Sequence, residues 1–510
     1  MKRFISVILT VLFVCVLAVP GAAESVKKGD TNGDGNIDNK DVVTLFRFVS
    51  GSGVSCVEAA CDINGDGYID NKDVVVLFRY LSGGQMPGGD DAGELPEADL
   101  KGREVVVIVN GDAARDDILG TEVPGDRIRA AIRERKNKAE KAGNFKLECV
   151  TSANAIAEIR KSYLSAAYEF DLTMLTAEDI CSLAAQGSLA DLNKVPQLQL
   201  DGEGWDNDAV SAFTVEDKLF CATGDVSVST LDKTYLIAFN KQMLEKSGDG
   251  MPYDAVRYGN FTIDYLYAKT YELYSDENGN GAVDDQDSFA LGASAGSAVS
   301  LLFGFGGKLT ETDGNGKPYP YISDRTVNAA GKLGDIFNYG KVLLNDNETV
   351  RGAFTDGRVA FFLTNAEELC GLVKDAKFDI GVLPLPKSDE AQESYCSAAS
   401  QDALLFAVPY NRETKPAGVA LELLCRISTE TVLPVYLDTV AQTADDLEMF
   451  DLIFRERRWD LLFHGLYTSI DEELMEAAEN DTLEMFAVTS QIKASQAISN
   501  YVDGIEKKAQ

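Results

Sequence analysis

The chain has 510 residues, more than one ordinary core accommodates, so two or more domains are expected. An apolar content of 45% excludes a disordered chain. The formal net charge of −35, from 82 acidic and 47 basic residues, repels phosphate backbones and excludes nucleic acid as a natural partner.

Residues 1–23 read as a secretory signal peptide. Lys2 and Arg3 precede an apolar run from Ile5 to Val19, and Gly21, Ala22 and Ala23 form a small-residue cleavage site. Cys15 follows Val14, whereas a lipid-attachment cysteine wants a small residue before it. No later apolar run is long enough to span a membrane. A secreted protein, extracellular or at the cell surface, is therefore expected. Cys56 and Cys61 are near enough in sequence to close a small disulfide. Cys149, Cys181, Cys221, Cys370, Cys396 and Cys425 are scattered singly among apolar neighbours and read as free, buried thiols.

The string DTNGDGNIDNKD at residues 30–41 returns as DINGDGYIDNKD at residues 62–73. Calcium takes hard oxygens from positions 1, 3, 5, 7, 9 and 12 of a twelve-residue loop. Those positions hold Asp30, Asn32, Asp34, the Asn36 carbonyl, Asp38 and Asp41, then Asp62, Asn64, Asp66, the Tyr68 carbonyl, Asp70 and Asp73. The sharp turn falls on Gly35 and Gly67. So many carboxylates in one loop repel one another unless a cation binds. A helix follows each loop, with Val42, Leu45 and Val49, then Val74, Leu77 and Leu81, on one face. Gly51 and Gly83 end them. No helix is expected before the first loop, so each unit is half of an EF-hand.

Two tandem half-EF-hands with Asp at the last loop position resemble a type I dockerin over residues 28–84, a small all-α calcium-binding module. The resemblance implies two bound calcium ions and a cohesin domain of a scaffoldin or cell-surface protein as partner, as in cellulosome-type assemblies. The family's recognition positions fall on Asn39, Lys40, Phe46 and Arg47, and again on Asn71, Lys72, Phe78 and Arg79. The two sets are identical, which implies two equivalent binding faces. Phe46 and Phe78 adjoin the core stripe, where an aromatic serves either packing or an interface.

Residues 85–100, rich in Gly, Pro and acid, read as an exposed linker. Beyond it EVVVIVNG, FKLECVTS and FDLTMLT read as strands. GDRIRAAIRERKNKAEKAG, with a basic face, NAIAEIRKSYLSAA and AEDICSLAAQG read as helices between and after them. Such alternation predicts parallel sheets with crossover helices. Some 400 residues in this style exceed one core, so two lobes are expected.

Several segments, in order, resemble family-1, sugar-type extracellular solute-binding proteins of ABC importers over residues 101–507. They are YEFDLTMLTAEDICSLAAQGSLADL, TYLIAFNKQMLEKSG with Asn240 and Lys241, AFTDGRVAFFLTNAEEL, FDIGVLPLPK and FAVPYNRETKPAGVALELLCRIS. Phe261 stands where the family usually has Trp. The resemblance implies a two-lobed α/β periplasmic-binding-protein-like (Venus flytrap) domain closing on a carbohydrate, with an ABC permease as a further partner. Strand carboxyl ends face the cleft in such folds, which nominates Asn110, Asp112, Thr176, Glu178, Asp225 and Asn365. Sugars stack on aromatic faces, which nominates Trp205, Trp459 and Tyr467. For each polar candidate the alternative is a cap or turn role.

A degraded copy of the calcium loop, DENGNGAVDDQD, lies inside this domain. Its ligand positions are Asp276, Asn278, Asn280, the Ala282 carbonyl, Asp284 and Asp287, with Gly281 at the turn. It lacks one carboxylate, so a third, weaker calcium site or a metal-free loop is expected. The rival function is a dockerin-borne glycoside hydrolase, because paired carboxylates are available. No hydrolase motif is visible, and the single histidine, His464, sits in an apolar stretch that argues against a His-based site.

Overall fold

The computed structural model describes residues 27–49, 53–65, 67–81, 99–248, 250–480 and 482–507. The expected signal peptide, most of the expected linker, Asp66 and the side chains of Asn71, Lys72 and Arg79 lie outside the described residues.

The N-terminal module consists of the two calcium-type loops, each followed by a helix, Asn39–Val49 and Asn71–Leu81, with a short turn of helix at Glu58–Cys61 between them. Its core is the predicted stripe, with Val42, Leu45, Val74 and Leu77 buried together with Ile63, Ala60 and Cys61. The Cys56 and Cys61 sulfurs lie 2.9 Å apart as thiols.

The large domain contains two main sheets. In chain order the strands are β1 (Arg103–Asn110), β2 (Phe145–Ser152), β3 (Leu172–Thr176), β4 (Tyr235–Asn240), β5 (Phe289–Ala293), β6 (Thr310–Thr312), β7 (Pro318–Pro320), β8 (Val342–Leu344), β9 (Val359–Asn365), β10 (Ile380–Leu383), β11 (Ser397–Ala398), β12 (Leu404–Ala407) and β13 (Arg457–Arg458). The first lobe has the order β12-β3-β1-β2 and the second β10-β4-β9-β5-β8. β1, β2 and β3 run parallel, in the predicted βαβ style.

The expectation of parallel sheets holds except at the strands that arrive from the other lobe. β12 pairs antiparallel with β3, and β4 pairs antiparallel with both β9 and β10. A strand that crosses between lobes comes in from the opposite end of the sheet, so it pairs reversed. Strand interiors are apolar on both faces because helices cover both sides. Phe239, Phe361, Phe362 and Phe406 are fully buried there, and each contributes roughly 1.5–3 kcal/mol of transfer free energy.

The chain passes between lobes at 223–234, at 384–403 and at 441–443. Gly224 opens the first passage, where a Cβ would stand 2.0 Å from the Gly204 carbonyl oxygen, so no larger residue fits without moving the backbone. The long helix Lys415–Val440 packs on the first lobe against Arg127–Gly143, and Ala444–Arg455 packs on β10 of the second.

The basic face expected on Arg127–Gly143 is interrupted by Arg135, which is fully buried. Its guanidinium donates to the carbonyls of Val226, at 2.7 Å, and Asp117. The buried Asp117 carboxylate accepts from the Val228 and Ser229 amides. Together the pair pins the first passage to the first lobe.

Candidate functional site

The three acidic loops share one internal hydrogen-bond pattern. The carboxylate at the first position accepts the amide of the turn glycine: Asp30 from Gly35 at 2.9 Å, Asp62 from Gly67 at 3.2 Å and Asp276 from Gly281 at 2.9 Å. The last carboxylate reaches back to the ninth residue's amide: Asp41 to Asp38 and Asp73 to Asp70 at 2.9 Å, and Asp287 to Asp284 at 3.1 Å. The turn glycines have φ of 91°, 87° and 76°, the left-handed region that disfavours a side chain.

Side-chain oxygens of Asn32 and Asp34 in the first loop, and of Asn278 and Asn280 in the third, each accept the amide two residues on. Asp30 Oδ1 and Asp287 Oδ1 are buried without a hydrogen-bond partner, a costly state that a bound cation would relieve. Among the described residues no three carboxylate, imidazole or thiol groups form a ready cage. The ligand set mixes carboxylates with Asn side chains and a backbone carbonyl.

The third loop differs in its surroundings. The side-chain amides of Asn280 and Asn278 pin Asp284, and hydrogen bonds from Asn280, the Gln286 amide and Asn278 hold its carboxyl below the usual range. The Tyr274 hydroxyl donates to Asp287 at 2.8 Å and reaches the Ala282 carbonyl at 3.3 Å. A bridge between Ser275 and Ser288 closes the loop, and β5 follows it directly, with no recognition helix.

Of the first-copy partner positions, Asn39, Lys40 and Arg47 are exposed and Phe46 is half-buried against the module core. Phe78 is half-buried in the second copy.

In the large domain, β1, β3 and β9 end in Asn110, Thr176 and Asn365. Each also has a local structural role. Asn110 accepts the Ala155 amide at 2.7 Å, Thr176 caps Ala177–Ala185, and Asn365 caps Ala366–Asp375. Asp112 is exposed and paired with Arg115 at 2.8 Å. Glu178 is exposed and accepts from the Thr468 hydroxyl at 3.3 Å.

Because β4 runs antiparallel to β9, it is the beginning of β4, not its end at Asn240, that lies beside Asn365. That places Tyr235 there, and its hydroxyl neighbours Ser400, Asp402 and Asp471. Burial, then the two carboxylates, raise its pKa. The Lys233–Glu367 ion pair, 2.5 Å, stands next to it. Tyr235, Lys233, Glu367, Asp402, Thr468 and Asp471 were not nominated from the sequence. The signal was the strand TYLIAFNK itself, whose reversed direction only the pairing reveals.

The tryptophans sit elsewhere. Trp205 is 6% exposed, with its indole N–H on the Glu422 carboxylate at 3.1 Å. Trp459 is equally buried, donates to Asp206 at 3.1 Å and packs on Phe213 and His464. Tyr467 is 8% exposed and donates to Glu473 at 2.6 Å. Asp225 accepts from the Thr429 hydroxyl at 2.8 Å. Trp205 and Asp225 line a cavity of about 620 Å³ whose wall contains none of Asn110, Thr176, Glu178 or Asn365. His464 is buried between the carbonyls of Asp460 and Ala399, and burial lowers its pKa. No helix among the described residues is long and apolar enough to cross a membrane.

Comparison with known proteins matches this architecture. The family model for bacterial extracellular solute-binding proteins matches residues 134–431, and that for the dockerin type I domain matches residues 28–82. No curated protein sequence matches the chain. Among solved structures, the cyclic alpha-maltosyl-1,6-maltose binding protein from Arthrobacter globiformis is similar at 15% identity and a TM-score of 0.53, covering 78% of this chain and 99% of that one. An extracellular solute-binding protein from Staphylococcus aureus in complex with maltose is similar at 15% identity and 0.51, covering 81% and 98%. UspC of M. tuberculosis is similar at 18% identity and 0.51, covering 77% and 100%. At such identities the likeness is one of fold. With a family model spanning more than half its length, the chain belongs to the bacterial extracellular solute-binding proteins, and it carries a type I dockerin ahead of the binding domain.

Proposed function

We propose that this protein is secreted, captures an oligosaccharide between its two lobes, and is held by its dockerin on a cohesin-bearing scaffold or cell surface. The observation that carries the reading is the joining, in one chain, of a calcium-type docking module and a two-lobed fold of the solute-binding family. The structural relatives above include proteins named as binding maltose or a cyclic maltosyl sugar. Residues 28–84 form the docking module and 101–507 the binding domain, joined by residues 85–100. Asn110, Asp112, Thr176, Glu178 and Asn365, with Tyr235, supply the hydroxyl-binding groups. Tyr235, half-buried beside Asn365, is the aromatic we assign to the sugar, since both indoles are buried and hydrogen-bonded elsewhere.

Calcium in the dockerin loops is held by the oxygens of Asp30, Asn32, Asp34, Asn36, Asp38 and Asp41, and by Asp62, Asn64, Asp66, Tyr68, Asp70 and Asp73. The unpartnered Asp287 oxygen supports a third ion at Asp276, Asn278, Asn280, Ala282, Asp284 and Asp287. When bound, calcium cancels the mutual repulsion of the loop carboxylates. An ABC permease receives the sugar, and the dockerin takes the place of a lipid anchor.

The docking half is tested by retention on an immobilised type I cohesin. Retention in calcium and release by EDTA is the expected result. Retention that survives EDTA, or none in calcium with any of a panel of cohesins, contradicts it.

A further inference from the structure

The two dockerin helices are internal controls for each other. Asn39–Val49 and Asn71–Leu81 differ only at Thr44/Val76, Phe48/Tyr80 and Val49/Leu81. Val43 and Val75 occupy equivalent places, yet Val43 is 37% exposed and Val75 only 2%. The difference lies in what covers them. The second-copy helix rests on the long helix Lys415–Val440, and it also meets Ala444–Arg455. Val75 and Phe78 wall the cavity of about 620 Å³ together with Leu433, Leu437, Leu447 and Phe454. The first-copy helix touches Ala444–Arg455 but keeps Asn39, Lys40, Val43 and Arg47 exposed.

Lys415–Val440 belongs to the first lobe and Ala444–Arg455 packs on the second, so the second-copy helix spans the seam between them.

We propose that the second-copy helix is a latch in cis: it docks across the seam between the lobes and leaves the first-copy face as the one presented to a cohesin. The presented face rests on the cohesin reading above; the latch does not. A short tether gives an effective concentration on the order of millimolar, so even a contact with a dissociation constant of about 1 mM is formed roughly half the time. The two equivalent faces implied by sequence identity are thereby made inequivalent by the chain's own large domain. Because the latch touches both lobes, a change in lobe spacing alters the latch, and by reciprocity release of the latch alters solute affinity.

Hydrogen exchange on the mature chain in calcium tests this with matched variants, V43D and V75D. V75D is expected to speed exchange in 433–437 and 447–455 by about tenfold or more, with V43D at the wild-type rate. Unchanged exchange in those segments for V75D overturns the latch, whether or not that variant's dockerin remains folded, since an unfolded helix would also have left the seam. Equal acceleration by V43D overturns it as well. Cohesin titration then reads the presented face. R47E is expected to weaken binding at least about tenfold, since a charge-reversed contact at an interface is costly. Undiminished binding by R47E would show the second face to be available and overturn its sequestration. A wild-type chain that binds no cohesin overturns the docking reading and leaves the exchange result standing.

Discussion

Asp232 ends the short helix Val228–Asp232 in the first passage between lobes. Burial above all, with the charges of Glu367 and Asp117 nearby, pushes its carboxyl up to about 7. The Tyr436 hydroxyl donates to it at 2.8 Å, which only partly offsets the burial. Its folded pKa thus lies above its unfolded value of about 3.9, so the native state binds more protons than the unfolded one between those limits. Stability must therefore fall as pH rises from about 4 to about 7, by at most about 1.4 kcal/mol per unit. Asp232→Asn keeps an acceptor for Tyr436 and removes the charge. It is expected to flatten the pH dependence of urea unfolding in that window and to stabilise the protein by about 1–3 kcal/mol at pH 8. An unchanged pH profile would contradict this account. Nothing in the sequence marked Asp232, because its burial comes from residues such as Tyr436, distant in sequence. The loop aspartates were legible for the opposite reason: their spacing encodes their geometry locally.

Short elements hold the passages together. Arg457, on β13, donates to the Asp206 carboxylate and the Thr234 hydroxyl. Its ion pair with Asp206 is 2.7 Å long with both side chains buried. Asp206 in turn caps Asn207–Phe213 and accepts from the Trp459 indole. One arginine thus ties a helix start in the first lobe to the entrance of β4 and to the β11–β13 pair. Arg457→Ala leaves Asp206 a buried, unpaired charge and is expected to destabilise the domain by about 3–5 kcal/mol, measured by chemical unfolding. A loss below about 1 kcal/mol would mean that water replaces the guanidinium.

At this scale the sequence reads well where elements are local and regular. FKLECVTS is a strand over its whole length, and AEDICSLAAQG contains Ala177–Ala185. It reads poorly where strand direction depends on chain passage. The segment TYLIAFNK was marked by its Asn-Lys end, whereas antiparallel pairing brings its tyrosine beside Asn365. The tryptophans were nominated as stacking faces, but Glu422 and Asp206, both distant in sequence from the indole each holds, fix them in buried positions.

Over the whole molecule, the docking module and the binding domain are one packed body along the second-copy helix. The docking module thus lies at the seam between the lobes. The two-lobed class was readable from alternating strands and helices together with length. The packing of the dockerin on the large domain was not, because the two helices differ only at Thr44/Val76, Phe48/Tyr80 and Val49/Leu81, and Val43 and Val75, the residues whose exposure differs most, are the same in both. The central claim, that the cleft takes up an oligosaccharide without turning it over, is tested most directly by calorimetry of the mature protein in calcium against a panel of oligosaccharides. The account predicts saturable, single-site heat from at least one of them, loss of that heat in Tyr235→Ala, and recovery of the sugar intact. No heat from any panel member, or recovery of shortened sugars, would contradict it.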